Sequence, residues 1–169
     1  MGGVHQQFPE LAEDLRKSGY IKKLVVGEEQ FAKHGMNRNH SNANGLANPR
    51  DGHVYIRRHG TLKSPDDQSK LWESDSVRYF QADPAQAALA LFIHEAAHQY
   101  YFNDPELRDN SRLKTLFAKA LGSDAADPLE YFAESFTAAH IHPDVLDERD
   151  PEMGDFIRKF LARKGLSQP

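Results

Sequence analysis

The segment that decides the fold is ALALFIHEAAHQYYF, residues 88–102. It is apolar over most of its length, as expected for a helix packed against a core, and it contains an H-E-x-x-H pattern. His94 and His98 are four residues apart, so on a helix they share a face with Cβ atoms about 5–6 Å apart and can bind one cation. Glu95 can then take a proton from a metal-bound water. We predict a zinc site with His94 and His98 as ligands and Glu95 as the general base.

Composition limits what can complete such a site. The chain has 169 residues, nine histidines, no cysteine and a net charge of −4. Without cysteine, a transition metal must be held by nitrogen and oxygen, and disulfides and thiolate-ligated zinc are excluded. The basic residues are not clustered, which argues against a nucleic-acid partner. No apolar run approaches the ~20 residues of a membrane span, and the N-terminus lacks the layout of a signal peptide.

The third zinc ligand is predicted on a second helix. Within DPLEYFAESF, residues 127–136, Glu130 and Glu134 lie four residues apart and share a helix face. One of them would bind zinc, and the other would hydrogen-bond a ligand imidazole. We assign Glu130 as the ligand and Glu134 as the supporting residue, with ligation by Glu134 still open. Asp104, six residues after His98, is the alternative ligand because metzincins place one there, although it also fits a helix N-cap.

The fold is predicted as α+β, in a single domain of residues 1–169. Aspartate followed by proline is a helix-start signal, and it occurs at Asp83, Asp104, Asp127 and Asp150. These signals predict a four-helix part in residues 83–169, with helices over 83–102, 105–121, 128–141 and 151–164. Residues 1–82 are predicted to hold a helix and a small mixed sheet around an asparagine-rich loop. The predicted segments are a helix at 8–18, strands at 20–26 and 53–57, a weaker strand at 72–80 and the loop at 35–52.

The second motif is also the basis of a family resemblance. Glu130-Tyr-Phe-Ala-Glu134-Ser-Phe136, followed by Ala139-His140 and Asp155-Phe156-Ile157, resembles the catalytic region of the anthrax lethal factor-like metallopeptidases. This gluzincin group includes the proline–proline endopeptidases, and the resemblance covers residues 94–161. It implies a zincin-like fold, Glu130 as the third zinc ligand and Glu134 as support for the site.

One position departs from that family. Its members usually place a tyrosine seven residues before the glutamate ligand, where the hydroxyl can stabilise the oxyanion, but this chain has Ser123. An oxyanion donor is typically worth about 10²–10³ in rate. The donor is therefore unassigned, and the candidates are Tyr55, Tyr79, His53 and His142.

Together the motifs predict a zinc-dependent endopeptidase that hydrolyses a protein or peptide substrate. The strand at 53–57 is predicted as the edge along which an extended substrate adds. The resemblance implies a bacterial toxin or effector domain, secreted or delivered into a target cell and carried on a larger toxin or secretion-system polypeptide. We also expect the chain to be a monomer. Two alternatives stay open: a housekeeping cytosolic metallopeptidase, and a catalytically degenerate, zinc-stabilised binding module, which Ser123 would favour.

Overall fold

The computed structural model of the chain describes residues 7–26, 45–48, 50–56, 84–121 and 128–166. The strands in this part are β1 (Lys23–Val26), β2 (Gly45–Asn48) and β3 (His53–Ile56). The helices are α1 (Pro9–Ser18), α2 (Pro84–Asn103), α3 (Pro105–Arg108), α4 (Ser111–Leu121), α5 (Leu129–Ile141), α6 (Pro143–Arg149) and α7 (Pro151–Arg163). The α+β class predicted from the sequence is confirmed. None of the described helices has the length and apolar character needed to cross a membrane.

Helix α2 lies at the centre of the molecule. Its side chains are buried without interruption from Leu89 to Tyr101, because a helix with apolar residues on every side must be covered on every side. Helix α5 packs along it, and the aromatic rings of Phe132 and Phe136 on α5 are fully buried beside Tyr100 and Tyr101 of α2. This contact brings the two motif-bearing helices together.

The three strands form a mixed sheet in the order β1-β3-β2. Strand β1 runs parallel to β3, and β2 runs antiparallel to it with Ala47 opposite Val54. Both β2 and β3 contact α2. The prediction that the strand at 53–57 is the edge is wrong, because β3 is paired on both sides; among the described strands, β2 is the edge next to α2.

The prediction of a loop over residues 35–52 is wrong at Gly45–Asn48, which form strand β2. Its composition, with glycine and asparagine, is typical of a loop, but pairing with β3 stabilises an extended conformation. The connection between the two strands is a tight turn in which the amide of Gly52 donates to the carbonyl oxygen of Asn48 at 3.0 Å. Gly52 has φ +71°, a conformation that glycine adopts without steric cost.

Two further helix predictions are corrected. The single helix predicted at 105–121 is divided into α3 and α4, because the side chain of Asn110 accepts a hydrogen bond from the amide of Leu113 at 3.0 Å and so caps a new helix. Helix α6 was not predicted; it begins at Pro143 and buries Leu146. The described part of residues 83–169 therefore contains six helices rather than four.

Two of the four Asp-Pro start signals are confirmed as N-caps. Asp104 accepts a hydrogen bond from the amide of Glu106 at 2.9 Å, and Asp150 accepts one from Met153 at 3.1 Å. Asp83, Asp127 and the predicted strand at 72–80 lie outside the described residues. Helix α5 begins directly after Pro128 without a side-chain cap among the residues that the structure describes.

Candidate metal centre

Helices α2 and α5 bring His94, His98 and Glu130 together. Glu130 Oε2 lies 3.2 Å from His94 Nε2, and Glu130 Oε1 lies 3.2 Å from His98 Nε2. The imidazole rings are nearly perpendicular, with centroids 4.6 Å apart. One potential ligand atom from each residue falls within 4.8 Å of the other two. This group could hold a metal ion.

The burial of the group is uneven. His94 and His98 are only 6% and 7% exposed, whereas the side chain of Glu130 is 40% exposed. The histidines are therefore held rigidly by the core, while the glutamate side of the group is open to solvent. A catalytic metal site needs such an open position for water and substrate.

The electrostatics of the group fit a cation. Burial opposes a charge on His94, yet Glu134 and Glu130 together raise its pKa well above the usual range. Burial likewise opposes the charge on Glu130, yet His94 and His98 hold its pKa far below the usual range. The carboxylates thus favour positive charge at the imidazoles, and either a proton or a divalent ion held by the two Nε2 atoms and Glu130 would supply it.

Glu134 lies one helical turn beyond Glu130 and approaches the other side of the His94 ring. Its Oε1 is 3.3 Å from His94 Nδ1, and its side chain is buried. A carboxylate in this place sets the orientation and tautomer of a ligand imidazole. The Nδ1 atoms of His94 and His98 are both buried, and neither makes a hydrogen bond of good geometry within the described ranges, so Glu134 contacts His94 as an ion-pair partner.

The structure does not bring Asp104 into this group. Its carboxylate caps α3 through the amide of Glu106 and lies 2.5 Å from Lys164 Nζ at the end of α7. The alternative ligand considered from the sequence is therefore engaged in holding α3 and α7 together.

Glu95 is 5% exposed and adjoins the histidines on α2. Burial raises the pKa of its carboxyl group, while His98, His94 and the backbone amide of Ala47 oppose that rise. A carboxylate with a raised pKa is suited to accept a proton and then return it. Its position beside β2 was not predicted from the sequence.

Three of the residues considered as oxyanion donors are among the described residues: Tyr55, His53 and His142. The hydroxyl of Tyr55 donates to Asp51 at 3.2 Å and lies 3.0 Å from His53 Nδ1. His53 and Tyr55 flank Val54 on β3. Because the side chain of Val54 enters the core, those of His53 and Tyr55 occupy the opposite face of the sheet. His142 follows the last residue of α5, about 18 Å along the helix axis from Glu130 at the other end. Ser123 and Tyr79 lie outside the described residues.

Sequence reasoning missed the contribution of β2 and of Gln99. Gln99 is fully buried, and its Nε2 donates to the carbonyl oxygens of Asn48 at 3.0 Å and His53 at 3.3 Å. An amide side chain in an otherwise apolar helix, four residues after Glu95, was the available signal, because a buried amide must find hydrogen-bond partners. Nothing in the sequence indicated that those partners are on β2 and β3.

The protein is thus an α+β chain with a largely buried His-His-Glu group that could hold a metal ion. Comparisons of the chain with protein-family models, with curated proteins and with solved structures found no match. The interpretation of the site therefore depends on its own geometry.

Proposed function

We propose that the protein is a zinc-dependent endopeptidase of the gluzincin type with a zincin-like fold. The observation that carries the proposal is the convergence of His94 Nε2, His98 Nε2 and the Glu130 carboxylate, with Glu95 next to His94 and one side open to solvent. Two nitrogen ligands, one carboxylate and an open position form the ligand set of catalytic zinc.

The residues around the site have separate roles in this proposal. Zinc, when bound, polarises the scissile carbonyl and makes a water molecule more acidic. Glu95 accepts a proton from the attacking water as the carbon–oxygen bond forms, and donates it to the leaving amine as the carbon–nitrogen bond breaks. Glu134 holds the ring of His94 in place. The second proton of the water also passes to the leaving nitrogen, so the products are a carboxylate and an ammonium group.

We place the substrate along β2. Strand β2 is the edge of the described sheet nearest to α2, and its residue Gly45 lies against Glu95. An extended peptide can add to such an edge through main-chain hydrogen bonds. This assignment replaces the strand at 53–57 as the proposed substrate edge.

The biological role follows from the resemblance of residues 94–161 alone. We propose that the chain acts as a bacterial toxin or effector domain, secreted or delivered into a target cell, where it cleaves a protein. A housekeeping role in the cytosol is the alternative, and identification of the cleaved protein would separate the two.

A second candidate is a zinc-stabilised binding module without hydrolytic activity. The observation in its favour concerns the described candidates for an oxyanion donor: Tyr55 and His53 lie on the sheet face opposite Val54, whose side chain enters the core, and His142 follows the end of α5 opposite to Glu130. Without such a donor, hydrolysis would be slowed by about 10²–10³.

The test is the digestion of a broad peptide library by the zinc-loaded protein, with and without a chelator. We expect cleavage that the chelator abolishes and added zinc restores. Glu95→Ala should keep its zinc and lose cleavage, whereas His94→Ala should lose zinc. Zinc-loaded wild-type protein that cleaves nothing in the library would favour the binding module.

A further inference from the structure

Gly45, at the start of β2, lies directly against the side chain of Glu95. A Cβ atom at this position would be 2.8 Å from Glu95 Cγ and 2.9 Å from Cδ, and closer still to Oε1. The backbone of Gly45 does not require glycine, because it does not adopt the positive φ seen at Gly19, Gly52 and Gly165. Glycine is needed here for space.

Both sides of this contact have close neighbours. Glu95 is buried within the continuously covered stretch 89–101 of α2. At the other end of β2, Gln99 of the same helix donates hydrogen bonds to the carbonyl oxygens of Asn48 and His53. Strand β2 thus lies against Glu95 at Gly45 and is hydrogen-bonded at Asn48 to Gln99, one turn later on α2.

We propose that Gly45 is a positioning residue for Glu95: the missing side chain lets the carboxylate lie against β2 beside the metal group. The three atoms nearest to a Cβ at this position all belong to Glu95, so the methyl group of an alanine there would press on the carboxylate. The catalytic consequence rests on the proposed function, whereas the contact itself does not. A displacement of about 1 Å in a catalytic group can cost about 10²-fold in rate.

The contact is tested by introducing Gly45→Ala into three backgrounds: wild type, Glu95→Gln and Glu95→Ala. Glutamine keeps the bulk of glutamate, so we expect Gly45→Ala to lower the melting temperature of the zinc-saturated protein by several degrees in the first two backgrounds. Alanine at position 95 removes the clashing atoms, so the loss should disappear there. If Gly45→Ala fails to fold alone, restoration of folding by Glu95→Ala supports the proposal. An equal loss in all three backgrounds overturns it.

The catalytic consequence is tested by zinc content and by steady-state kinetics on a cleaved peptide. Gly45→Ala should bind zinc as tightly as wild type, with KM nearly unchanged and kcat reduced about 10²-fold. An unchanged kcat, or a loss of zinc, overturns the positioning role. If wild-type protein cleaves no peptide, the proposed function fails, and the three-background comparison still decides whether Gly45 places Glu95.

Discussion

The two nitrogens of the His94 ring face carboxylates on opposite sides: Nδ1 lies 3.3 Å from Glu134 Oε1, and Nε2 lies 3.2 Å from Glu130 Oε2. The two glutamates are one turn apart on α5, so a single helix provides a candidate ligand and the residue that orients another ligand. The packing of α5 on α2 therefore sets the geometry of the metal group.

Replacing Glu134 by glutamine should weaken zinc binding. The amide has nearly the same shape but no charge, and loss of a carboxylate that orients a ligand histidine typically costs about 10–100-fold in metal affinity. Competition with a chromogenic chelator measures the zinc Kd. Glu148→Gln, an exposed change on α6, is the matched control and should leave the Kd unchanged. Equal affinities for the two variants would contradict the role of Glu134.

Replacing Glu130 by alanine should abolish stoichiometric zinc binding. The change removes the only carboxylate whose oxygens approach both Nε2 atoms among the described residues. Zinc content after dialysis, measured by atomic absorption, checks this expectation. Full retention of zinc by Glu130→Ala would move the third ligand to Glu134.

Replacing Asp104 by asparagine should leave zinc binding intact and lower stability. Asparagine can still cap α3, but the ammonium of Lys164, which is 21% exposed, loses its carboxylate partner. We expect a loss of about 1–3 kcal/mol in the free energy of unfolding, measured by urea denaturation. Loss of zinc by this variant would instead make Asp104 a ligand.

The chain should become less stable below neutral pH, in part through His140. Burial lowers the pKa of His140 despite the contact of its Nδ1 with the carbonyl oxygen of Phe136 at 2.7 Å. The unfolded chain, with a histidine pKa of about 6.5, then binds a proton more readily than the folded one. This contribution to stability is complete above pH ~6.5 and is lost as the pH falls toward the folded-state value.

His140→Asn tests this dependence, because the asparagine amide can donate to the same carbonyl but does not titrate. Unfolding free energies at pH 7 and pH 5 should fall less for His140→Asn than for wild type. His94 and His98 are present in both proteins, so their contribution to the pH dependence of the unfolding free energy is the same in each. If the unfolding free energy falls equally in the two proteins between pH 7 and pH 5, His140 does not contribute to the loss of stability in acid.

Much of the helical part was predictable because its signals are local. Asp104 and Asp150 cap helices as expected, and the apolar run around residues 88–102 forms the buried helix α2. The break at Asn110 was missed, because a polar residue that caps a new helix looks, in sequence, like one more exposed helical position. Helix α6 begins at Pro143 without a side-chain cap from His142, so it lacked the Asp-Pro signal of the predicted helices.

The sheet was predicted less well because strand pairing is not local. Residues 45–48 have a loop-like composition, and only their pairing with β3 makes them a strand. Since β2 occupies that side of β3, the proposed substrate edge is β2 and not residues 53–57. Tertiary context overrides weak β propensity in such short segments.

The sequence by itself determined the pairs within each helix: His94 with His98, and Glu130 with Glu134. Residues four apart share a face whatever the rest of the chain does. Only the tertiary structure decided that Glu130 meets both histidines, that Asp104 does not, and that Gly45 lies against Glu95. Those relationships join segments separated by tens of residues, and they depend on how α5 and β2 pack against α2, which local spacing cannot specify.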